Sequence, residues 1–157
     1  MAIALEELEK EYKNLAKKYS LPEFSKIHQD FELQYLEHKT QLLRAIRRRM
    51  YNRIGFYLQL LDIILYPTGQ TPISSYESNF FSSEEKQELA HFYKLLMIYS
   101  RKSLQLDIES SDKKDAEYIS EFFERNNIIK KQMKEIIKQM EEVWKKQVEK
   151  EEGGYFG

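Results

Sequence analysis

Residues 30–67, DFELQYLEHKTQLLRAIRRRMYNRIGFYLQLLDIILYP, contain the pattern that decides the fold class. From residue 31 to residue 66, apolar side chains recur at steps of three and four, which places them in a stripe roughly 80° wide on a helix. The stripe is formed by Leu36, Leu43, Ile46, Met50, Ile54, Tyr57, Leu61 and Ile64. Pro67 closes the segment, because proline cannot continue a helix. The pattern predicts one long helix over residues 31–66.

The rest of the chain also has helical periodicity. Helices are predicted over residues 3–19, 21–28, 83–106 and 113–150. Two serines, Ser20 and Ser82, each stand three residues before a glutamate, which predicts a capping box at each position. Residues 67–82 contain two prolines and one glycine, and this composition predicts a loop.

The last predicted helix has a heptad pattern, which indicates a coiled-coil-like seam. Asn126 is a single polar residue in that seam, and such a residue tends to fix register or partner. The seam positions are Ile119, Phe122, Asn126, Ile129, Met133, Ile136, Met140, Val143 and Gln147.

These elements predict an all-α, elongated helical bundle of about four main helices. We expect a single helical domain over residues 1–150 and a flexible C-terminal tail over residues 151–157. The two long helices, at 31–66 and 113–150, would each be on the order of 55 Å long, and the helix at 83–106 would be shorter. Either the first helix or a second copy of the chain, in a homodimer, would cover the apolar seam that is left over.

Composition narrows the class of protein. The chain has 157 residues, of which 32% are charged, with a net charge of −1 and no cysteine. Disulfides and thiolate metal sites are therefore excluded. The first residues show no basic region of a signal peptide, and the most apolar window, residues 54–66, is too short to span a bilayer. We expect a cytoplasmic protein without membrane contact.

Two blocks of opposite charge stand out. Residues 39–53 contain six cations and no acid, and residues 107–124 contain seven acids and two lysines, a net charge of −5. One interpretation pairs the blocks inside the bundle, with Arg53 as a buried ion-paired residue whose change to alanine costs several kcal/mol. The alternative assigns polyanion contacts to Arg44, Arg47, Arg48 and Arg49. In both interpretations, Arg44 and Arg48 lie on the face away from the stripe and stay free of partners within the bundle.

Candidate partner-binding residues lie in the predicted loop and in the tail. The loop carries the aromatic residues Tyr76, Phe80 and Phe81, and the tail ends with Tyr155 and Phe156. A loop of this length with several aromatic residues either packs against the domain or binds a partner.

No motif for catalysis or for a cofactor is present. Glu88 and His91 form an E-x-x-H spacing, which is half of a di-iron site in a helical bundle, but the second such pair is missing. A helical metalloenzyme is thus the third class. We predict no cofactor and a non-enzymatic protein that acts as a protein–protein interaction or scaffold protein.

A family resemblance supports the alternative of a nucleic-acid-associated protein. The segment TQLLRAIRRRMYNRI, a loop, and the segment FFSSEEKQELAHFYKLL occur in an order that resembles the helical domain of subunits of the GINS replication complex. The resemblance covers about 60 residues and implies a replication-related role. Those subunits usually carry a small β-domain as well, and this chain shows no strand pattern for one.

Overall fold

The computed structural model describes residues 4–36, 41–68 and 72–155. Within these ranges the chain forms six α-helices and one 3-10 turn, Leu33–Tyr35, and no strand. The prediction of an all-α bundle is confirmed. The helices are α1 (Leu5–Tyr19), α2 (Phe24–Phe31), α3 (Leu42–Leu65), α4 (Pro72–Phe80), α5 (Ser83–Ile108) and α6 (Asp112–Tyr155).

The chain divides into two compact units. Unit 1 contains residues 1–55 and 97–127, and unit 2 contains residues 56–96 and 128–157. The helices α3, α5 and α6 each contribute residues to both units. The expectation of a single domain over residues 1–150 stays a prediction.

Unit 1 has an aromatic and aliphatic core. The Phe31 and Phe122 rings lie 6.2 Å apart, and Tyr99 meets Phe122 edge to face at 5.3 Å. Such aromatic pairs add to the stabilisation that burial of their area provides. The completely buried aliphatic side chains in this unit include Ile27, Leu33, Leu43, Ile46, Met50, Ile54 and Ile119.

Unit 2 has a core that is mainly aliphatic. Its α6 contribution comes from the predicted seam, because Ile129, Met133, Ile136, Met140 and Val143 are all buried. The other buried apolar residues of this unit come from α3, from α5 and from the connection between α4 and α5: Tyr57, Leu58, Leu61, Ile64, Phe81, Phe92 and Leu96. These α6 side chains are buried in the isolated chain, so no second copy is needed to cover them.

The helix predicted over residues 31–66 is wrong in its first part. The helix α2 ends at Phe31, and Glu32 takes a left-handed conformation with φ 51°. A 3-10 turn and the extended residue Leu36 follow, and α3 begins at Leu42. Leu33 and Leu36 are buried. The break lets both side chains enter the core, although only Leu36 belonged to the predicted stripe.

The loop predicted over residues 67–82 contains a helix, so that prediction is also wrong. The helix α4 begins at Pro72, a residue that suits the first turn because its missing N–H has no helical partner there. The Ser78 hydroxyl donates a hydrogen bond to the Ile64 carbonyl at 2.7 Å and ties α4 to the end of α3.

The two predicted capping boxes differ in outcome. At α5 the box is confirmed, because the Ser82 N–H donates to Glu85 Oε2 and the Glu85 N–H donates to Ser82 Oγ, both at 3.1 Å. The box at Ser20 is wrong, because Ser20 adopts a left-handed conformation at the end of α1 and Glu23 precedes α2 without a side-chain cap.

The last helix is longer than predicted. It runs from Asp112 to Tyr155 and so includes most of the segment that was expected to be a tail. That this segment frays stays a prediction, and residues 156–157 lie outside the described ranges. Across 4–36, 41–68 and 72–155, no helix has both the length and the apolar character that a bilayer crossing requires.

Candidate functional site

Unit 1 contains a charge cluster around the buried side chain of Arg47, and the cluster consists of Arg47, Ser103, Asp107, Ser110 and Asp115. The Arg47 side chain is completely buried. Its Nε donates to Asp115 Oδ1 at 2.7 Å, and its Nη2 donates to Asp107 Oδ1 at 2.5 Å. Nη1 donates to both the carbonyl and the hydroxyl of Ser103, at 2.7 and 2.6 Å. All three guanidinium nitrogens are therefore satisfied, as a buried cation requires.

The end of α5 and the start of α6 position the acids of this cluster. A short connection, residues 109–111, joins the two helices, so Asp107 and Asp115 reach Arg47 from adjacent helix ends. The Ser110 hydroxyl donates to Asp115 Oδ2 at 2.9 Å, which satisfies the second oxygen of that buried carboxylate. The two charged blocks of the sequence thus meet through Arg47.

Asp107 contacts three arginines, Arg44, Arg47 and Arg48. Arg48 Nε donates to its Oδ1 at 3.1 Å, and Arg44 donates to its backbone carbonyl at 3.1 Å. Burial alone raises the pKa of the Asp107 carboxyl, but hydrogen bonds from Arg47 and Arg48 outweigh burial and leave that pKa below its usual value. The expectation that Arg44 and Arg48 stay free is wrong, because both reach across to the start of the acidic block.

The assignment of the buried ion pair to Arg53 is wrong. Arg53 is half-buried, donates to the Asp30 carbonyl at 3.4 Å and lies over the Phe31 ring at 5.9 Å. At about 100° per residue, Arg47 and Arg53 flank the apolar stripe on opposite edges. Helical spacing therefore did not distinguish them. The position of the α5–α6 connection decided that Arg47 is the buried residue.

The four arginines proposed for polyanion contacts all have partners within unit 1. Arg44, Arg47 and Arg48 contact Asp107. Arg49 donates to the Phe31 carbonyl at 3.1 Å and lies 3.5 Å from the Glu32 carboxylate. A phosphate group would have to compete with these contacts.

In unit 2, the residues of the predicted binding loop pack against α6. Tyr76 meets Trp144 edge to face at 6.3 Å, and Lys146 lies over the Phe80 ring at 4.8 Å. Both aromatic rings nevertheless stay partly exposed. Glu77 is buried beside them, and burial raises the pKa of its carboxyl, although a hydrogen bond from Trp144 opposes that rise.

The third loop residue, Phe81, contributes to a groove between α5 and α6 in unit 2. We call this the α5–α6 groove, and it encloses about 500 Å³. Its apolar lining is Phe81, Leu89, Phe92, Ile128 and Ile136, and its polar lining is Glu85, Glu88, Lys131, Gln132, Glu135 and Gln139.

The apolar lining of this groove is open to solvent at two positions. Ile128 is 65% exposed, and Leu89 is only half-buried, whereas Phe81, Phe92 and Ile136 form a buried floor. Ile128 was not among the residues singled out from the sequence. The signal that could have revealed it is the doublet Ile128–Ile129, because only one of two consecutive residues on a helix can point into a narrow seam.

The remaining candidate residues do not form a site in the described ranges. Glu88 lines the groove and His91 is exposed, and no group of three or more potential metal ligands occurs within 4–36, 41–68 and 72–155. The side chain of Tyr155 and the whole of Phe156 lie outside the described residues.

Comparison with known proteins adds no assignment. No protein-family model matches the chain, no curated protein matches it, and no solved structure matches it.

Proposed function

We propose that this chain is a non-enzymatic protein–protein interaction module that binds a partner protein in the α5–α6 groove. The observation that carries the proposal is the exposure of Ile128 beside an apolar floor. When a partner covers such a side chain, the free energy of the complex falls by about 25 cal/mol per Å² of apolar area removed from water. Clefts of about this volume that contain apolar side chains are typical of ligand-binding sites.

The contacts of the arginines favour this function over the nucleic-acid alternative. Specific nucleic-acid binders present a basic surface to phosphates. Here the arginines at positions 44, 47, 48 and 49 contact carboxylates or carbonyls of unit 1. The alternative, a nucleic-acid-associated protein with a replication-related role, therefore has less support.

Site-specific photo-crosslinking tests the proposal. A benzophenone amino acid replaces Ile128 in the full chain, which is expressed in its native cells and irradiated. The matched control replaces Ile108, an isoleucine of unit 1 that is 89% exposed and does not line the groove. We expect discrete adducts of higher mass from position 128, identified by mass spectrometry, and none of them from position 108.

Two outcomes would contradict the proposal. Equal adduct patterns from the two positions would show that exposure alone, and not the groove, determines capture. Binding of the purified chain to duplex DNA or RNA, with an affinity that falls steeply as salt rises, would support the nucleic-acid alternative, because phosphate contacts release counterions.

A further inference from the structure

We infer that the partner segment in the α5–α6 groove is an amphipathic helix whose apolar stripe is flanked by lysines or arginines. This inference rests on the proposed function and adds the chemistry of the partner. Three features of the groove carry it: the helical form of its two walls, its length, and the charge of its rim.

Both walls of the groove are helix faces. The α5 wall consists of residues 85, 88, 89 and 92, and the α6 wall consists of residues 128, 131, 132, 135, 136 and 139. These steps of three and four place each set on one side of its helix. Side-chain ridges on two neighbouring helices form a channel that receives the ridge of a third helix. A helix in a groove is also a recurrent mode of peptide recognition.

The length of the α6 wall determines how much of a helix the groove accepts. From residue 128 to residue 139 the wall extends over 11 steps. At 1.5 Å per residue this corresponds to roughly 16 Å, or about three helical turns. Three turns present three or four apolar residues at i, i+3, i+4 and i+7, which is enough to cover Ile128 and Leu89.

The rim of the groove is acidic. Glu85 and Glu88 stand on α5, and Glu135 stands on α6, whereas Lys131 is the one cation among the lining residues. Three carboxylates and one ammonium group give the lining a formal charge of −2. An apolar helix with basic flanks complements this rim, and one with acidic flanks is repelled by it.

Two synthetic peptides of about 14 residues, long enough for three turns and two ends, test the inference. Both carry the same leucine stripe, and their flanking positions are lysine in one peptide and glutamate in the other. Fluorescence anisotropy measures binding to the full chain at low salt. We expect the lysine peptide to bind at least about tenfold more tightly than the glutamate peptide, because charge complementarity across the rim favours only the first.

Rim variants of the chain separate this site from general attraction between charges. The double variant Glu88→Lys/Glu135→Lys should reverse the preference, so that the glutamate peptide binds more tightly. The matched control is Glu149→Lys/Glu152→Lys, which makes the same change in net charge at exposed positions of α6 outside the groove. The control should keep the preference of the original chain. Circular dichroism verifies that both variants keep their helical content.

The results distinguish failure of this inference from failure of the proposed function. Equal affinity for the two peptides, or an unchanged preference in the Glu88→Lys/Glu135→Lys variant, overturns the basic-helix assignment. If neither peptide binds while Ile128 still gives specific adducts, the assignment fails and the proposed function stands. If those adducts have the mass of two copies of the chain, the occupant is a second copy, and the inference is likewise wrong.

Discussion

Unit 1 and unit 2 differ in how they use charge in their cores. In unit 1 the charged side chain of Arg47 is completely buried, and it donates hydrogen bonds to two carboxylates and a hydroxyl group. The core of unit 2 contains no such pair among its described residues. Both units expose single apolar side chains, such as Ile108 in unit 1, but in unit 2 the exposed Ile128 lines the α5–α6 groove.

This difference indicates a division of roles. A buried ion pair contributes little net stability against an apolar replacement, but it is costly to break because one charge is then left without a partner. It therefore favours one arrangement of α3, α5 and α6 in unit 1 over others. Apolar contacts are less directional, and a unit built from them can accept a further helix on its open side. We expect unit 1 to specify structure and unit 2 to bind.

The largest effect should come from Arg47→Ala. This change leaves Asp115, which is 1% exposed, without its cation, so the free energy of unfolding should fall by about 3–5 kcal/mol. Urea denaturation followed by circular dichroism measures the loss.

Arg53→Ala is the matched control for this change, because Arg53 lies on the same helix and is only half-buried. Its contacts with the Asp30 carbonyl and the Phe31 ring should be worth about 1 kcal/mol or less. A greater loss for Arg53→Ala than for Arg47→Ala would contradict the assignment of the buried cation.

An intermediate effect should come from Asp107→Asn, which weakens the contacts of the three arginines. We expect the free energy of unfolding to fall by about 1–2 kcal/mol near neutral pH. Hydrogen bonds to charged groups contribute more to stability than neutral ones, but the partial exposure of this carboxylate limits the loss. The pKa of Asp107 is lowered in the fold from 3.8, so its contribution is present above that value and is lost as pH falls through the folded pKa. The variant should therefore show a shallower loss of stability in acid.

Glu77→Gln should show the opposite dependence on pH in unit 2. Burial raises the pKa of Glu77 above 4.5, so its contribution is present at low pH and is lost as pH rises through the folded pKa. The variant should have a higher urea midpoint than the original chain near neutral pH and no advantage near about pH 4. The fluorescence of Trp144, which lies beside Glu77, measures the unfolding of unit 2. Parallel pH profiles for the Asp107 and Glu77 variants would contradict the contrast between the units.

The smallest effect should come from Gly55→Ala at the point of α3 where unit 1 ends. Beyond its own turn of helix, a methyl group at Gly55 would meet no atom within 4 Å, so the substitution removes the helix cost of glycine without a clash. We expect a gain of about 1 kcal/mol in the free energy of unfolding. A loss of stability would show that the backbone at residue 55 needs a conformation that alanine disfavours. Thermal unfolding by circular dichroism measures the change.

A local motif was predictable where all of its hydrogen bonds join residues close together in the sequence. The capping box at Ser82 closes between residues three apart, so the sequence was sufficient to predict it. The same pattern at Ser20 did not form a capping box, because Ser20 ends α1 in the left-handed conformation. The Tyr12 hydroxyl donates to the Pro22 carbonyl at 2.7 Å, and this bond fixes the connection between α1 and α2 in another conformation.

The buried face of α6 was predictable because it repeats the same apolar spacing along a single helix. Its heptad residues are buried from Ile119 to Val143, because a helix long enough to repeat its pattern many times has only one face to bury. The predicted polar position, Asn126, is buried as well, and its amide donates to the Asp30 carboxylate at 2.8 Å. The sequence indicated that this position is special but not which residue would be its partner.

The sequence by itself determined that the chain is built from helices and that the last helix has one continuous apolar face, whereas the pairing of the two charged blocks was only one of two interpretations. The first two properties follow from periodicity, which is local along the chain. Only the tertiary structure decided that Arg47 and not Arg53 is buried, that a helix ends at Phe31, and that α5 and α6 leave a groove beside Ile128. Each of these depends on which residues distant in sequence come together, and the free energy of such contacts is not encoded in the spacing of any one segment.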